Sequence, residues 1–156
     1  MPMKRFLTLA LATTLTVGSI AIAQDNPAVV VDPAIATMTN EQLVEARQKA
    51  MEDNGRALRG AGQLSGEQAV AVATLLLQNF TNLPSLFKEG SNTGESKALP
   101  AVWTNWEDFK SRFDHDVELA TAMLAAAQTG DTAAYNAAIQ GIGESCGGCH
   151  MTYRGR

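Results

Sequence analysis

WEDFKSRFDHDVELATAML, residues 106–124, is an amphipathic pattern that sets the fold class. Apolar side chains recur every three or four residues on one face over about five turns. The face comprises Trp106, Phe109, Phe113, Val117, Ala120 and Leu124. Charged residues fill most of the positions between them. A helix with one apolar face needs partners that cover it, so the stretch predicts a unit built from packed helices.

The segments on either side of this helix contain helix boundaries. Upstream, TNWE at 104–107 has the spacing of a capping box, with Thr104 at the N-cap. Downstream, TGD at 129–131 breaks the chain, and Asp131 is the predicted N-cap of a last helix. That helix also has one apolar face, which comprises Tyr135, Ala138, Ile139, Ile142, Cys146, Cys149 and Tyr153.

Two further helices are predicted in the first half of the chain. TNEQ at 39–42 fits a capping box and opens a helix that runs to about Arg59. SGEQ at 65–68 has the same signature and opens a helix that Pro84 bounds. The apolar face of this second helix comprises Ala69, Val72, Ala73, Leu76 and Phe80.

Residues 81–102 form the longest connection between the predicted helices and are rich in Gly, Ser, Asn and Pro. Phe87 and Trp103 are expected to fix this connection to the core. No segment shows the alternation of a strand. Four helices joined by short, long and short connections predict an all-α fold, an antiparallel up-down-up-down four-helix bundle over residues 39–156.

Residues 1–38 are predicted to precede the bundle. A basic start, an apolar run and small residues up to Ala23 are typical of a secretory signal peptide over residues 1–23. Residues 24–38 show no helical period and are predicted to be an extended lead-in. The interpretation is export to the periplasm with cleavage near Ala23. No later segment is long and apolar enough to span a bilayer.

The charge of the chain limits the class of its partners. Twelve Lys and Arg stand against sixteen Asp and Glu, a formal net charge of −4, and the basic residues form no cluster. Nucleic acid is therefore not expected as a partner. An acidic chain of this size fits transient encounters with other proteins.

CGGCH at 146–150 contains the only two cysteines of the chain. Cys146, Cys149 and His150 are spaced i, i+3 and i+4, so they project from the same side of a helix. Cys-x-x-Cys-His is the attachment motif of c-type haem. The thiols form thioethers with the porphyrin, and the histidine binds the iron. The motif predicts one haem c per chain, with His150 as an axial iron ligand.

Other uses of the two thiols account for less of the motif. A zinc site lacks ligands, since the only other histidine is His115, which lies in a charged setting typical of an exposed surface. A simple disulfide leaves His150 unexplained. A thiol–disulfide oxidoreductase places such a pair after a strand. No strand precedes it here, so that enzyme class is the most distant hypothesis.

The acidic residues of the 106–124 stretch are expected on its outer, solvated face: Glu107, Asp108, Asp114, Asp116 and Glu118. No nucleophile accompanies them, and the sequence has no phosphate-binding loop or Ser/His/Asp arrangement. The chain is therefore not predicted to be an enzyme.

The last helix contains four glycines, each of which costs about 1 kcal/mol relative to alanine in a helix interior: Gly141, Gly143, Gly147 and Gly148. We expect this helix to be poorly ordered until haem is attached. We also expect its small residues to let the flat ring approach the backbone.

The second axial position of the iron decides the function. Met51 lies in the middle of the first helix, and Arg47 is one turn earlier on the same face. A thioether over the iron and a guanidinium near the carboxylates of the ring suit a haem. The same spacing fits an alternative equally well, in which Met51 only packs against other side chains and Arg47 is a solvated surface charge. Met123 is expected to fill the core.

Together these features resemble the class II cytochromes c, the family that includes cytochrome c′. The resemblance rests on four motifs: ARQKAM at 46–51, LPSLFKEGSNTGESKALPAVW at 83–103, TGD at 129–131 and CGGCHMTYR at 146–154. It implies that Arg154 lies close to the proximal ligand. It also implies haem contacts for Arg47 and Gln48 near the carboxylates, Met51 on the distal side, and Ser96 and Lys97 at the haem edge.

The resemblance also implies two alternative functions. Cytochrome c′ proper keeps a five-coordinate, high-spin iron and binds small gases such as nitric oxide or carbon monoxide. Its low-spin relatives take a methionine ligand from the first helix and carry electrons. QKAMEDNGR at 48–56 is similar to the low-spin relatives. Some c′ members also have a methionine at this position that does not bind the iron, so Met51 permits ligation without requiring it.

The first expectation is therefore a periplasmic carrier of single electrons, with His150 and Met51 as iron ligands and redox proteins as transient partners. A gas-binding protein with an open distal position is the alternative. Dimerisation is common in the family, and the sequence neither requires nor excludes a homodimer.

Overall fold

The computed structural model describes residues 29–156, and the signal peptide predicted over residues 1–23 lies outside them. The described chain forms α1 (Asn40–Leu58), α2 (Gly66–Asn82), the single turn α3 (Ala101–Thr104), α4 (Trp106–Thr129) and α5 (Thr132–Tyr153). The four long helices confirm the predicted all-α four-helix bundle. Within residues 29–156, no helix combines the length and the hydropathy needed to cross a membrane.

Two of the predicted helix starts have the predicted caps. At the start of α1 the Thr39 hydroxyl accepts from the backbone N–H of Gln42, and the Gln42 side chain accepts from the N–H of Thr39. At the start of α5 the Asp131 carboxylate accepts from the N–H of Ala134 at 3.0 Å. These bonds satisfy N–H groups that have no partner within the helix.

The other two predicted capping boxes are wrong. Ser65 precedes α2 as predicted, but its side chain makes no capping bond. Gly66 is in the left-handed region at φ +55°, so the first residue after Ser65 lacks the helical geometry that a capping box requires. Thr104 already belongs to α3, and its hydroxyl donates to the Pro100 carbonyl at 3.4 Å. Asn105 takes the N-cap position of α4.

The lead-in is not fully extended, contrary to the prediction. Pro33–Thr37 forms a 3₁₀ helix, which Asp32 caps by accepting from the N–H of Ala34 at 2.9 Å. Ile35 is buried in this turn. A single turn of five residues is too short to show a helical period, so the pattern did not reveal it.

The core lies mainly on the predicted face of α4, which packs against both α2 and α5, while α1 packs against α2. Four of the six predicted residues of that face are buried, and Trp106 and Val117 are half-buried. Met123 on the same helix is 0% exposed, which confirms it as a core residue.

The long connection is fixed to the core as predicted. After α2 the chain forms the 3₁₀ helix Leu83–Leu86, and Phe87 then packs its ring edge-to-face against Phe109 with centroids 4.8 Å apart. The indole N–H of Trp103 donates to the Phe87 carbonyl at 2.9 Å. These contacts hold the connection against α4.

Candidate functional site

A cavity of about 570 Å³ lies between α1 and α5. Its first wall is α1, through Arg47, Gln48 and Met51. A second wall is α5, through Cys149 and His150. The connection between α2 and α3 closes a third side. The structure thus brings together residues of two motifs that are about a hundred positions apart in the sequence.

The CGGCH motif forms part of the last turns of α5. Cys149 is buried, Cys146 is half-buried, and neither thiol forms a disulfide. Burial raises the pKa of each thiol to about 11. His150 is exposed at the mouth of the cavity. Partial burial and the charge of Arg154 lower the pKa of His150, which favours the neutral imidazole that binds metals.

Met51 is half-buried and packs against the core from α1. Met51 and His150 therefore line one cavity from different helices. A thioether and an imidazole are thus present at one cavity, and both are ligands that haem iron accepts.

Arg47 is 4% exposed and is not a solvated surface charge. Its guanidinium donates to the carbonyls of Leu86 and Ser91 and to the hydroxyls of Ser91 and Ser96, at 2.8 to 3.0 Å. It also lies over the Phe87 ring, 4.6 Å from the centroid. Burial lowers the pKa of Arg47. None of the acidic residues between 29 and 156 forms an ion pair with it.

The other residues implied by the resemblance lie at different depths. Gln48 lines the cavity, and its side chain donates to the Glu95 carbonyl at 2.9 Å. Lys97 is exposed at the cavity mouth. Ser96 is half-buried and meets the site through Arg47, whose terminal nitrogen donates to its hydroxyl at 2.8 Å.

A polar cluster behind the cavity was missed by sequence reasoning. The hydroxyl of Tyr153, which lines the cavity, donates to the Asp108 carboxylate, and Arg112 donates to the same carboxylate at 2.9 Å. The hydrogen bond from Tyr153 and then that from Arg112 lower the pKa of Asp108. The i,i+4 spacing of Asp108 and Arg112 was visible in the sequence, but their link to Tyr153 depends on the packing of α4 against α5.

Asp116 is a buried carboxylate and not part of the outer face of α4 as predicted. It is 4% exposed, and its Oδ1 atom has no hydrogen-bond partner. Burial raises the pKa of Asp116, and the Ser145 hydroxyl and His115 offset this only in part. The sequence spacing indicates this burial, because Asp116 is three residues after Phe113 and four before Ala120, which both belong to the apolar face. His115 is exposed as predicted.

Replacing Asp116 by asparagine is expected to stabilise the protein at neutral pH. A carboxyl with a raised pKa in the folded state binds more protons folded than unfolded. The free energy of unfolding therefore falls as the pH rises above the usual carboxyl pKa of 3.8. Asp116→Asn removes this loss and is expected to raise the free energy of unfolding at pH 7 by about 1–3 kcal/mol.

The measurement for Asp116 is denaturant unfolding at pH 7 and at pH 4. The gain from Asp116→Asn is expected to shrink at the lower pH. Asp114→Asn is the matched control, because Asp114 is two residues before Asp116 and is exposed on the outer face of α4. A loss of stability at pH 7 in Asp116→Asn would contradict the assignment of an uncompensated carboxylate.

The four glycines of α5 differ in the space around them, and only Gly141 is in tight contact with a neighbouring side chain. A Cβ on Gly141 would meet the Leu119 side chain at 3.1 Å, so that glycine serves the contact between α5 and α4. A Cβ on Gly143 or Gly147 would meet open space, and one on Gly148 would lie 3.8 Å from the Arg112 guanidinium. The approach of a ring to the backbone of α5 stays a prediction.

The residues around the cavity fit a haem. The buried guanidinium of Arg47 lines the cavity and has hydrogen bonds but no anionic partner among residues 29–156, and a haem would supply carboxylates for such a group. Free thiols and an imidazole on α5 and a thioether on α1 match the donors of haem attachment and ligation. Among the described residues, no group of three or more His, Cys, Asp or Glu side chains could hold a bare metal ion.

Comparison with known proteins gives the same picture. The family model described as cytochrome c′ matches residues 38–154. Cytochrome c-556 of Agrobacterium tumefaciens is 36% identical over 121 residues, which are 71% of this chain and 95% of that protein. Cytochrome c′ of Rhodospirillum rubrum is 28% identical over 156 residues, which are 97% of this chain and 99% of that protein.

The fold also matches solved structures. The crystal structure of cytochrome c′ from Thermochromatium tepidum superposes with a TM-score of 0.71 at 22% identity. The match covers 76% of this chain and 99% of that one. At this identity the likeness concerns the fold, which is the four-helix bundle described above.

Proposed function

Because this chain belongs to the cytochrome c′ family, we propose that it is a periplasmic carrier of single electrons with one haem c, held by His150 and Met51. Members of the family are non-enzymatic haem proteins of electron transport, and membership implies a covalently attached haem c. The proposed partners are redox proteins that bind the chain transiently.

The observation that carries the proposal is the presence of Met51 and His150 on different walls of one cavity. When bound, a haem supplies a one-electron couple between ferric and ferrous iron. Cys146 and Cys149 attach it by thioether bonds, so it remains in place whichever charge the iron has. His150, on the turn that contains both cysteines, is held next to the attachment points.

Met51 has a separate role, which decides between the two candidate functions. A thioether is a soft ligand that favours ferrous iron and raises the reduction potential, as a carrier requires. It also occupies the position that an external gas would need. Met51 belongs to the regular helix α1 and packs against the core, so its side chain is held at the cavity wall.

A five-coordinate protein that binds nitric oxide or carbon monoxide is the second candidate. It is favoured by the relatives and solved structures that are named cytochrome c′. In that case Met51 packs over the cavity without binding iron.

The optical spectrum of the reduced native protein, with and without carbon monoxide, separates the two functions. The electron carrier is expected to give a low-spin spectrum that carbon monoxide leaves unchanged, because Met51 occupies the sixth position. A spectrum that shifts on addition of carbon monoxide would support the gas-binding protein and exclude a ligated Met51.

A further inference from the structure

The guanidinium of Arg47 makes its hydrogen bonds to the connection between α2 and α3. One terminal nitrogen donates to the Leu86 carbonyl and the Ser91 hydroxyl, and the other donates to the Ser91 carbonyl and the Ser96 hydroxyl. Each terminal nitrogen of arginine carries two hydrogens. All four of these hydrogens are therefore used within the protein, and only the Nε–H is left for a carboxylate in the cavity.

These bonds extend over much of the connection. Their acceptors lie 39 to 49 residues away in the sequence, from Leu86 to Ser96. The face of the guanidinium also covers the Phe87 ring. The neighbouring Gln48 adds a bond to the Glu95 carbonyl at 2.9 Å. A single turn of α1 thus holds the connection at several points from Leu86 to Ser96.

The part of the connection that Arg47 holds is also a wall of the cavity. Phe87, Glu95, Lys97 and Ala98 line it from this side. Met51 is one turn after Arg47 on the same face of α1. The contact between α1 and the connection therefore lies next to the Met51 side of the cavity. Arg47 holds α1 and the connection together at this contact.

We propose that Arg47 is a positioning residue that locks the connection onto α1 and thereby limits the access of small external ligands to the Met51 side of the cavity. This role goes beyond a charge partner for a haem carboxylate and rests on the proposed haem site. Arginine is suited to it, because its planar group makes several bonds in fixed directions, which the ammonium of lysine cannot reproduce.

Amide hydrogen exchange of the haem-loaded protein tests the lock. Three amides of the connection have short-range bonds: Ser91 N–H to the Lys88 carbonyl, Ser96 N–H to the Thr93 carbonyl and Ala98 N–H to the Ser96 hydroxyl. In Arg47→Gln these amides are expected to exchange at least tenfold faster, while core amides of α4 keep their rates. Arg47→Lys is expected to restore part of the protection.

The control is Arg56→Gln, which removes an exposed arginine of the same helix that pairs with Asp53. It is expected to leave the connection unchanged. If Arg47→Gln does not load haem, Ser96→Ala removes one acceptor of the guanidinium and is expected to speed exchange at Ser91 severalfold. Ala98 is left out of this comparison, because its N–H donates to the Ser96 hydroxyl itself. Unchanged exchange in these variants, or an equal rise throughout α4, would overturn the proposal.

The rate of carbon monoxide binding tests the effect on access. In a Met51→Ala background, where the distal position is open, adding Arg47→Gln is expected to raise the association rate at least tenfold. Adding Arg56→Gln is expected to leave it unchanged. An equal rate with and without Arg47 would overturn the gating role.

The two proposals fail in different ways. A native protein that binds carbon monoxide readily contradicts ligation by Met51. The exchange rates in Arg47→Gln still decide whether the connection is locked, because they do not depend on the iron ligands.

Discussion

A chain with Cys146→Ala and Cys149→Ala is expected to lose covalently bound haem and much of the order of α5. The two thiols are the only cysteines available for thioether bonds. Helix α5 contains four glycines, each costing about 1 kcal/mol relative to alanine in a helix interior, and borders a cavity that would be empty. Without the haem, a large part of the packing that stabilises this helix is absent.

The double cysteine variant is checked by mass spectrometry of the denatured protein and by circular dichroism. The mass is expected to equal that of the polypeptide alone, and the helical signal is expected to fall by a share corresponding to the 22 residues of α5. Met151→Ala is the matched control, because Met151 follows the motif directly and is 85% exposed. Haem that stays attached contradicts the assigned thiols, and undiminished helicity contradicts the dependence of α5 on haem.

Replacing Met51 by alanine is expected to change the iron from low-spin to high-spin and to allow carbon monoxide to bind. The change removes the thioether that lines the cavity opposite His150 and puts no other donor in its place. A soft axial ligand stabilises ferrous iron, so the reduction potential is also expected to fall. Absorption and electron spin resonance spectra measure the spin state, and a redox titration measures the potential.

Met123→Ala is the matched control for Met51. Met123 is 0% exposed in the core, so its loss is expected to lower the free energy of unfolding by about 2–5 kcal/mol and to leave the spin state unchanged. A low-spin spectrum that persists in Met51→Ala would contradict ligation by this residue, whatever the change in stability.

The periodic parts of the fold were predictable from the sequence. The apolar face of α4 and the caps at Thr39 and Asp131 depend on residues within a few positions of one another, and the structure has them as predicted. Residues 33–37 and the start of α4 were not predicted, because a turn of four or five residues shows no period and Pro100 starts a helical turn earlier than the capping pattern suggested.

The candidate site was predictable in its residues but only partly in their contacts. The CGGCH spacing identifies the α5 side, and the spacing of Arg47 and Met51 places both on one wall. The partners of Arg47 were not predictable, since two of them are backbone carbonyls more than 35 residues away. The charge of Asp116 favours the outer face of α4, but its spacing from Phe113 places it on the buried face.

The electron spin resonance spectrum of the oxidised native protein tests the central claim most directly, because it reports the ligands on both sides of the iron. With His150 and Met51 bound, the spectrum is expected to be that of low-spin ferric iron and to become high-spin in Met51→Ala. A high-spin spectrum of the native protein would contradict the account and identify a five-coordinate iron with Met51 unbound.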